Sequence, residues 1–286
     1  MSKMKINTIG RIFLFFISYF LIVGIFQCIG SLIAGVDLIN LEYVKTLNEN
    51  LIINVFNFVG TFLVISFFMK SVDKKHFIEL GFHTRNRLKE FILGIIIGLL
   101  IMTIGYFILI YLDEIFFVKV NFNFKKLIMS ILLFTIIAFI EETICRGYIL
   151  RNLMSSFNKY IALIVSSIIF SSLHAFNPDI DLFSLFNIFL VGIAYGLFYI
   201  YTKNLWFPIA MHLSWNLFQS LLGFNVSGLN SYSIIEFKIN EGNLINGGAF
   251  GFEASFLSII AQLLTIIGIV IYYNKKQKQK AETPGQ

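Results

Sequence analysis

Charged residues are scarce in this sequence, since Lys, Arg, Asp and Glu make up 13% of its 286 residues and 57% are hydrophobic. An average soluble chain is about 25% charged, so the composition excludes an ordinary soluble protein. A net charge of +6 would suggest a nucleic-acid partner in a soluble chain. Here the basic residues lie between apolar runs, where they orient a membrane protein. We expect a polytopic protein in a lipid bilayer, with no nucleic-acid partner.

Cysteine and histidine are also rare. The two cysteines, Cys28 and Cys145, lie in or beside apolar segments, and their spacing matches neither a disulfide framework nor a CxxC motif. No base lies at the spacing that a thiol nucleophile requires, so we interpret Cys145 as a packing residue. Of the four histidines, two lie in a basic loop, and only His174 and His212 lie in apolar runs.

Eight apolar runs approach the roughly 20 helical residues that cross a bilayer, at 10–34, 51–69, 91–112, 127–150, 160–176, 182–201, 205–222 and 255–273. They predict an all-α protein with about eight transmembrane helices. We expect one transmembrane domain over 1–286, with a motif-bearing core at about 127–222. The loop 223–254 and the polar tail 274–286 are expected to be irregular. Gly94 and Gly98 predict close helix packing.

The distribution of Lys and Arg orients the spans. Lys3, Lys5 and Arg11 place the N-terminus in the cytoplasm, the second loop is strongly basic, and the first loop, with Glu42, falls outside. Four lysines in the tail 274–286 place the C-terminus in the cytoplasm as well. The abundance of Ile, Phe, Asn and Lys suggests an AT-rich genome, so we expect a bacterial plasma membrane.

Two adjacent carboxylates, Glu141 and Glu142, and Arg146 stand at the end of the run that begins at residue 127. Each ionisable residue inside a membrane span costs about 2.5–3.5 kcal/mol, so such a group indicates function. Glu142 and Arg146 are one helical turn apart and are expected to form an ion pair. Glu141 is then the free carboxylate, available as a general base for water.

Two further polar groups occur at helical spacing. His174 follows Phe170 by four residues, and Asn216 follows His212 by four. His174 is expected to relay a proton, and His212 with Asn216 to stabilise an oxyanion. If the fourth and fifth spans turn near 157–158, Glu141 and His174 lie at similar depth. A straight seventh helix would leave His212 nearer the cytosol, with Pro208 marking an irregular helix start.

At these residues the sequence resembles the CAAX protease and bacteriocin-processing family, also called the ABI family, whose eukaryotic members include the type II CAAX prenyl endopeptidase. Its patterns EExxxR, FxxxH and HxxxN correspond in order to Glu141, Glu142 and Arg146; to Phe170 and His174; and to His212 and Asn216. Weaker flanking similarities are Leu80-Gly81-Phe82 and the run 247–253.

The resemblance implies an intramembrane endopeptidase with an eight-helix core around an intramembrane catalytic cavity, which cuts a peptide or membrane-protein substrate. Glu141 would activate water, Glu142 and Arg146 would support it, and the remaining motif residues would position water or stabilise the oxyanion. A metal-free, glutamate-dependent mechanism is favoured, with no cofactor. The alternative is Zn²⁺ held by Glu141, His174 and His212, although HExxH is absent.

Two other functions stay open at the level of sequence. A non-catalytic self-immunity or envelope-regulatory scaffold could use the same fold, and a proton-coupled transporter could use the same buried charges. The sequence shows no inverted repeat, which argues against a transporter.

Overall fold

The computed structural model describes residues 2–40 and 43–282, and the side chains of residues 8–40 and 43–279. Glu42 and residues 283–286 of the predicted tail lie outside the described residues. The side chains of Lys3, Lys5 and Lys280, which entered the prediction of orientation, also lie outside the described part.

Helices of the described chain lie where the apolar runs predict them. Their bounds are α1 (Ser2–Ala34), α2 (Leu47–Phe67), α3 (Leu88–Tyr111), α4 (Phe124–Glu142), α5 (Arg151–Met154), α6 (Lys159–Ser172), α7 (Leu182–Thr202), α8 (Trp206–Leu221) and α9 (Phe256–Glu282). A π-helix at Thr143–Leu150 joins α4 to α5, and another at Phe68–Val72 extends α2. The predicted all-α membrane fold is confirmed.

Six of these segments, among the residues described, are long and apolar enough to cross a membrane. The other two, α6 and α8, have 14 and 16 residues. At a rise of 1.5 Å per residue they are about 21 Å and 24 Å long, whereas the hydrocarbon core is about 30 Å thick. All eight predicted segments are therefore helical, and the two short ones are shorter than the hydrocarbon core is thick.

Close packing of α3 on α8 forms the most extensive helix pair, and α1 packs on α2 and α6 on α7 in the same way. A Cβ atom added at Gly98 would lie 2.7 Å from the Cβ of Ser214, and one added at Gly94 would lie 2.8 Å from the carbonyl oxygen of Phe207. Only glycine permits this approach of the two backbones. The packing role predicted for Gly94 and Gly98 is confirmed.

A two-stranded ribbon links two loops on one face of the helix bundle. β1 (Phe116–Val120) pairs antiparallel with β2 (Ile235–Lys238), with Phe117 opposite Phe237. The sequence did not predict this ribbon, because strand pairing between loops more than 100 residues apart has no local signature. The loop 223–254 is thus only partly irregular, since it also holds a 3₁₀-helix at Phe252–Ala254.

The tail that begins at residue 274 is helical as far as Glu282, because α9 continues through it. The expectation of an irregular tail is wrong over these residues. Its composition explains the difference, since Lys, Gln, Ala and Glu are good helix formers and here extend an existing helix rather than starting a new one.

The turn between α7 and α8 lies beneath a short covering segment, residues 77–83. The hydroxyl of Tyr199 donates to the carbonyl oxygen of Leu80 at 2.9 Å, and the N–H of Leu205 donates to the carbonyl oxygen of Gly81 at 3.0 Å. The side-chain amide of Asn204 donates to the carbonyl oxygen of His83 at 2.7 Å. Since Leu80 and Leu205 are fully buried, α8 starts well inside the protein.

Candidate active site

The first motif lies where an α-helix changes to a π-helix. Glu141 and Glu142 are the last residues of α4, and the eight residues Thr143–Leu150 that follow are π-helical and buried. π-helical turns are rare and are frequent at functional sites, because they redirect side chains relative to a regular helix. Here the change of geometry falls between the two carboxylates and Arg146.

Arg146 and Glu142 form the predicted ion pair. Arg146 Nη1 donates to Glu142 Oε1 at 2.7 Å, and the two side chains are 1% and 0% exposed. The guanidinium also lies 4.3 Å from the ring centroid of Phe170 and 5.3 Å from that of Tyr195. A cation over an aromatic face is stabilised when it is desolvated, which gives a physical reason for the Phe in FxxxH.

His212 is oriented by the same carboxylate. Its Nδ1 lies 2.9 Å from Glu142 Oε1, which also accepts from Arg146. An ionised carboxylate only accepts hydrogen bonds, so Nδ1 carries the proton and Nε2 is an acceptor when the ring is neutral. Nε2 lies 3.8 Å from Glu141 Oε2. Glu142 thus fixes which nitrogen of His212 faces Glu141.

His174 is oriented in the same way by a backbone group. Its Nδ1 lies 2.9 Å from the carbonyl oxygen of Phe170, which can only accept, so Nδ1 donates and Nε2 is again an acceptor in the neutral ring. Nε2 of His174 lies 3.8 Å from Glu141 Oε2, the same distance as Nε2 of His212. The expectation that Glu141 and His174 meet at one depth is confirmed.

Glu141 is the carboxylate that faces a cavity. Its side chain is 30% exposed, whereas that of Glu142 is fully buried. Glu141 Oε2 has no hydrogen-bond partner among the described residues. Asn216, one turn beyond His212, lines the same cavity, and no hydrogen bond of its amide occurs within the described part of the chain. The structure therefore brings Glu141, His174, His212 and Asn216 to one cavity, with Glu142 and Arg146 behind them.

The depth of His212, which a straight seventh helix did not explain, follows from the fold. The turn before α8 is covered by residues 77–83 and is buried within the protein. α8 begins at Trp206, with Pro208 in its first turn, where a missing N–H is tolerated. His212 therefore reaches the level of His174 although it is only six residues into its helix.

The cavity has a volume of about 770 Å³ and leads to one face of the protein. Its lining includes loop residues before α2, between α6 and α7, and between α8 and α9, at 43–45, 177–178 and 226–231. We call this side the mouth face. Among the described residues, no loop on the opposite face lines the cavity, and the covering segment 77–83 lies on that opposite side.

Two sets of lining residues were missed by sequence reasoning. Asn50, Asn54 and Asn57 of α2 line the cavity, and their spacing of four and three residues was a readable signal. Glu253, in the run 247–253 noted above only as a flanking similarity, also lines it. Its Oε1 accepts from the N–H of Ser227 and from Gln219 Nε2, each at 3.0 Å.

The site also contains side chains of the types that bind metal ions. Two imidazole nitrogens and a carboxylate are ligands that Zn²⁺ accepts, and Glu141, His174 and His212 supply them. In the described part of the chain, however, no three His, Cys, Asp or Glu residues are arranged to hold a metal ion. Glu141 Oε2 lies 3.8 Å from each of the two imidazole nitrogens, so these three atoms are close to one another without direct hydrogen bonds.

Comparison with known proteins agrees with the motifs. Residues 123–218 match the sequence model of the family described as type II CAAX prenyl endopeptidase Rce1-like. No curated protein and no solved structure gives a significant match. The matched segment contains α4, the π-helix, α6, α7 and nearly all of α8, and hence every motif residue. The protein is an integral membrane protein, and its segment 123–218 is similar to the type II CAAX prenyl endopeptidase Rce1-like family.

Proposed function

We propose that this protein hydrolyses a peptide bond of a membrane-associated or peptide substrate with a water molecule that Glu141 activates. One observation carries the proposal: Glu141 lines the cavity, and its Oε2 atom lies 3.8 Å from the Nε2 atoms of both His174 and His212. Glu142 is occupied by Arg146 and His212, so Glu141 is the carboxylate left to act as a base.

Three hydrogen-bond acceptors lie close together in this arrangement, namely Glu141 Oε2 and the Nε2 atoms of His174 and His212. The arrangement therefore favours a ligand that donates hydrogen bonds. A water molecule has two protons to donate, and it can satisfy Glu141 and one neutral histidine while its lone pair points towards a substrate carbonyl. Glu141 takes one proton as the water oxygen bonds to the carbonyl carbon. When the C–N bond breaks, that proton passes to the leaving nitrogen, directly or through His174, and yields a carboxylic acid and an amine.

Asn216 is the group that we assign to the developing oxyanion. Its amide lines the cavity one turn beyond His212, and a preorganised donor in a water-poor site stabilises negative charge on the carbonyl oxygen. A donor of this kind contributes about 10²- to 10³-fold to kcat when it is tested by substitution. Arg146 and Glu142 act behind the site by holding His212 in the required tautomer.

The experiment is cleavage of tagged synthetic peptides by the purified protein in detergent, with Glu141→Gln beside the wild type. We expect Glu141→Gln to lower kcat by about 10²- to 10⁴-fold. Glu241→Gln is the matched control, because Glu241 lies in an exposed loop and outside the cavity. Equal cleavage by Glu141→Gln and the control would refute the assignment.

A chelator and a flux assay separate the alternatives. Activity that resists chelation supports the metal-free mechanism, and activity lost on chelation and restored by Zn²⁺ supports a metal held by Glu141, His174 and His212. A non-catalytic scaffold predicts no cleavage and a cellular phenotype that survives Glu141→Ala. A transporter predicts proton flux in proteoliposomes that is lost on substitution of Glu142 or His174.

The basic loops lead us to propose that both termini lie in the cytoplasm of a bacterium and that the mouth face lies outside. A membrane-impermeant thiol reagent on intact cells tests this orientation. In a Cys28→Ala background, Leu229→Cys on the mouth face should be labelled, and Lys159→Cys on the opposite face should not. The reverse pattern would invert the orientation and leave the site chemistry unchanged.

A further inference from the structure

A line of carboxamides runs along one side of α2. Asn50, Asn54 and Asn57 follow one another at four and three residues, so they share a helix face. All three are half-buried and line the cavity. Polar residues within a membrane span are costly and mark functional surfaces. We call these three residues the amide stripe.

The bonds of the amide stripe do not explain it as a clamp between helices. Asn54 Nδ2 donates to the carbonyl oxygen of Asn50 at 2.9 Å, and Asn57 Oδ1 accepts from the hydroxyl of Thr61 at 3.2 Å. Asn50 Nδ2 donates to the carbonyl oxygen of Lys45 at 3.4 Å. These partners belong to α2 itself or to the turn before it, whereas an interhelical role needs a partner on another helix.

Residues that line the cavity therefore keep unused hydrogen-bonding capacity. Within the described residues, Asn54 Oδ1 and Asn57 Nδ2 have no hydrogen-bond partner, although the cavity wall that they form is shared with Glu141. Asn54 Oδ1 is an acceptor and Asn57 Nδ2 is a donor. They are complementary to the N–H and the C=O of a peptide backbone.

Dimensions match a short length of extended chain. Asn50 and Asn57 are separated by seven helical residues, or about 10 Å along the axis. An extended peptide rises about 3.3 Å per residue, so the amide stripe spans about three substrate residues. It begins beside the mouth residues 43–45, and the same cavity continues to Glu141.

We infer that the amide stripe binds the main chain of an extended polypeptide segment next to the scissile bond. This inference rests on the proposed protease function and names its substrate class: an unfolded peptide segment that reaches the site from the mouth face. Recognition through the main chain accepts many side chains, so the stripe contributes to binding without reading a strict sequence.

The kinetic test compares Asn54→Leu/Asn57→Leu with Asn48→Leu. Leucine is similar in size to asparagine and forms no hydrogen bond, and Asn48 is an exposed residue of α2 outside the cavity. With tagged synthetic peptides as substrate, the double variant should raise KM roughly tenfold or more, as expected for two lost hydrogen bonds, with kcat within about threefold of wild type. Asn48→Leu should leave both constants unchanged.

A protection measurement gives a second test that requires no turnover. Asn54→Cys in the Cys28→Ala/Glu141→Gln background is labelled with a maleimide, with and without the same peptides, and the labelling of the background through Cys145 is subtracted. We expect the peptides to slow labelling at least threefold. Asn48→Cys is the control and should be unaffected.

The outcomes separate this inference from the proposed function. If Glu141→Gln abolishes cleavage while the double variant keeps the wild-type KM, the amide stripe does not bind substrate and the protease assignment stands. If Glu141→Gln cleaves normally, the proposed function fails. If the wild type cleaves none of the peptides, the protection measurement decides, and unprotected Asn54→Cys overturns the inference.

Discussion

Replacing one member of the Glu142–Arg146 pair should destabilise the protein more than replacing both. Arg146→Met keeps a long apolar side chain against the Phe170 ring but leaves the fully buried Glu142 carboxylate without its cation. Breaking a buried pair in this way costs about 3–5 kcal/mol, because one charge remains uncompensated. Glu142→Gln leaves the Arg146 guanidinium in the same position, so we expect a similar loss.

The double variant Glu142→Gln/Arg146→Met removes both charges. The new amide retains a carbonyl oxygen that can accept from His212 Nδ1, so the hydrogen bond now made at 2.9 Å is preserved in kind. Replacing a buried ion pair by neutral groups of similar volume is often neutral or stabilising. The free energy of unfolding of the double variant should therefore lie above that of either single variant.

The assay is unfolding by a denaturing detergent in mixed micelles, followed by the fluorescence of the two tryptophans. The pair Arg11–Asp73 serves as control, because Arg11 is 32% exposed and Asp73 also contacts Arg151 and Asn152. Arg11→Met should cost about 1 kcal/mol or less. Additive losses in the Glu142–Arg146 cycle, or a loss for Arg146→Met as small as that control, would refute the reasoning.

Two further predictions concern packing and pH. Gly98→Ala should destabilise the protein by about 1–3 kcal/mol in the same assay, because the new Cβ would lie 2.7 Å from Ser214. Gly268→Ala is the control: a Cβ there would have no atom within 4 Å, so the change should be neutral or slightly stabilising. Equal effects of the two substitutions would argue against the α3–α8 contact. The N–H of His76 lowers the pKa of Glu79 below its usual 4.5. The contribution of the Glu79 carboxylate to stability is complete above its usual pKa of 4.5 and is lost as the pH falls through the lower pKa of the folded state. Between about pH 3 and 6, the free energy of unfolding of Glu79→Gln should therefore depend less on pH than that of the wild type. Identical pH dependence in the two proteins would refute this.

The motif geometry could be predicted because it depends on short spacings. Glu142 and Arg146 are four residues apart, and their ion pair forms although a π-helix begins between them. The meeting of Glu141 with His174 follows from a hairpin whose turn, after α5 and before α6, lies near residues 157–158, as the sequence predicts. Distances within one turn or one hairpin are nearly fixed by helix geometry.

Other features depend on contacts between distant parts of the chain. The level of His212 is set by the covering segment 77–83, whose hydrogen bonds join residues about 120 apart in sequence. The β1–β2 ribbon joins two loops with no pairing signal in either. The amide stripe had a local signal in its spacing, but single asparagines in an apolar run are also frequent interhelical contacts, and only the cavity distinguishes the two roles.

The adjacency of Glu141 and Glu142 lets one helix end supply two carboxylates with different tasks. Successive residues on a helix point about 100° apart, so Glu142 turns into the bundle, where Arg146 and His212 meet it, and Glu141 turns to the cavity. The buried carboxylate lies 2.7 Å from the Arg146 guanidinium. An ionised carboxylate can only accept hydrogen bonds, which places the proton of His212 on Nδ1. Nε2 of His212 then faces Glu141 as an acceptor, 3.8 Å from its Oε2. The charge on Glu142 thus sets the tautomer of the His212 imidazole that Glu141 meets. Exchanging the roles of the two carboxylates would therefore require a different backbone geometry at the end of α4, and not only a change of one side chain.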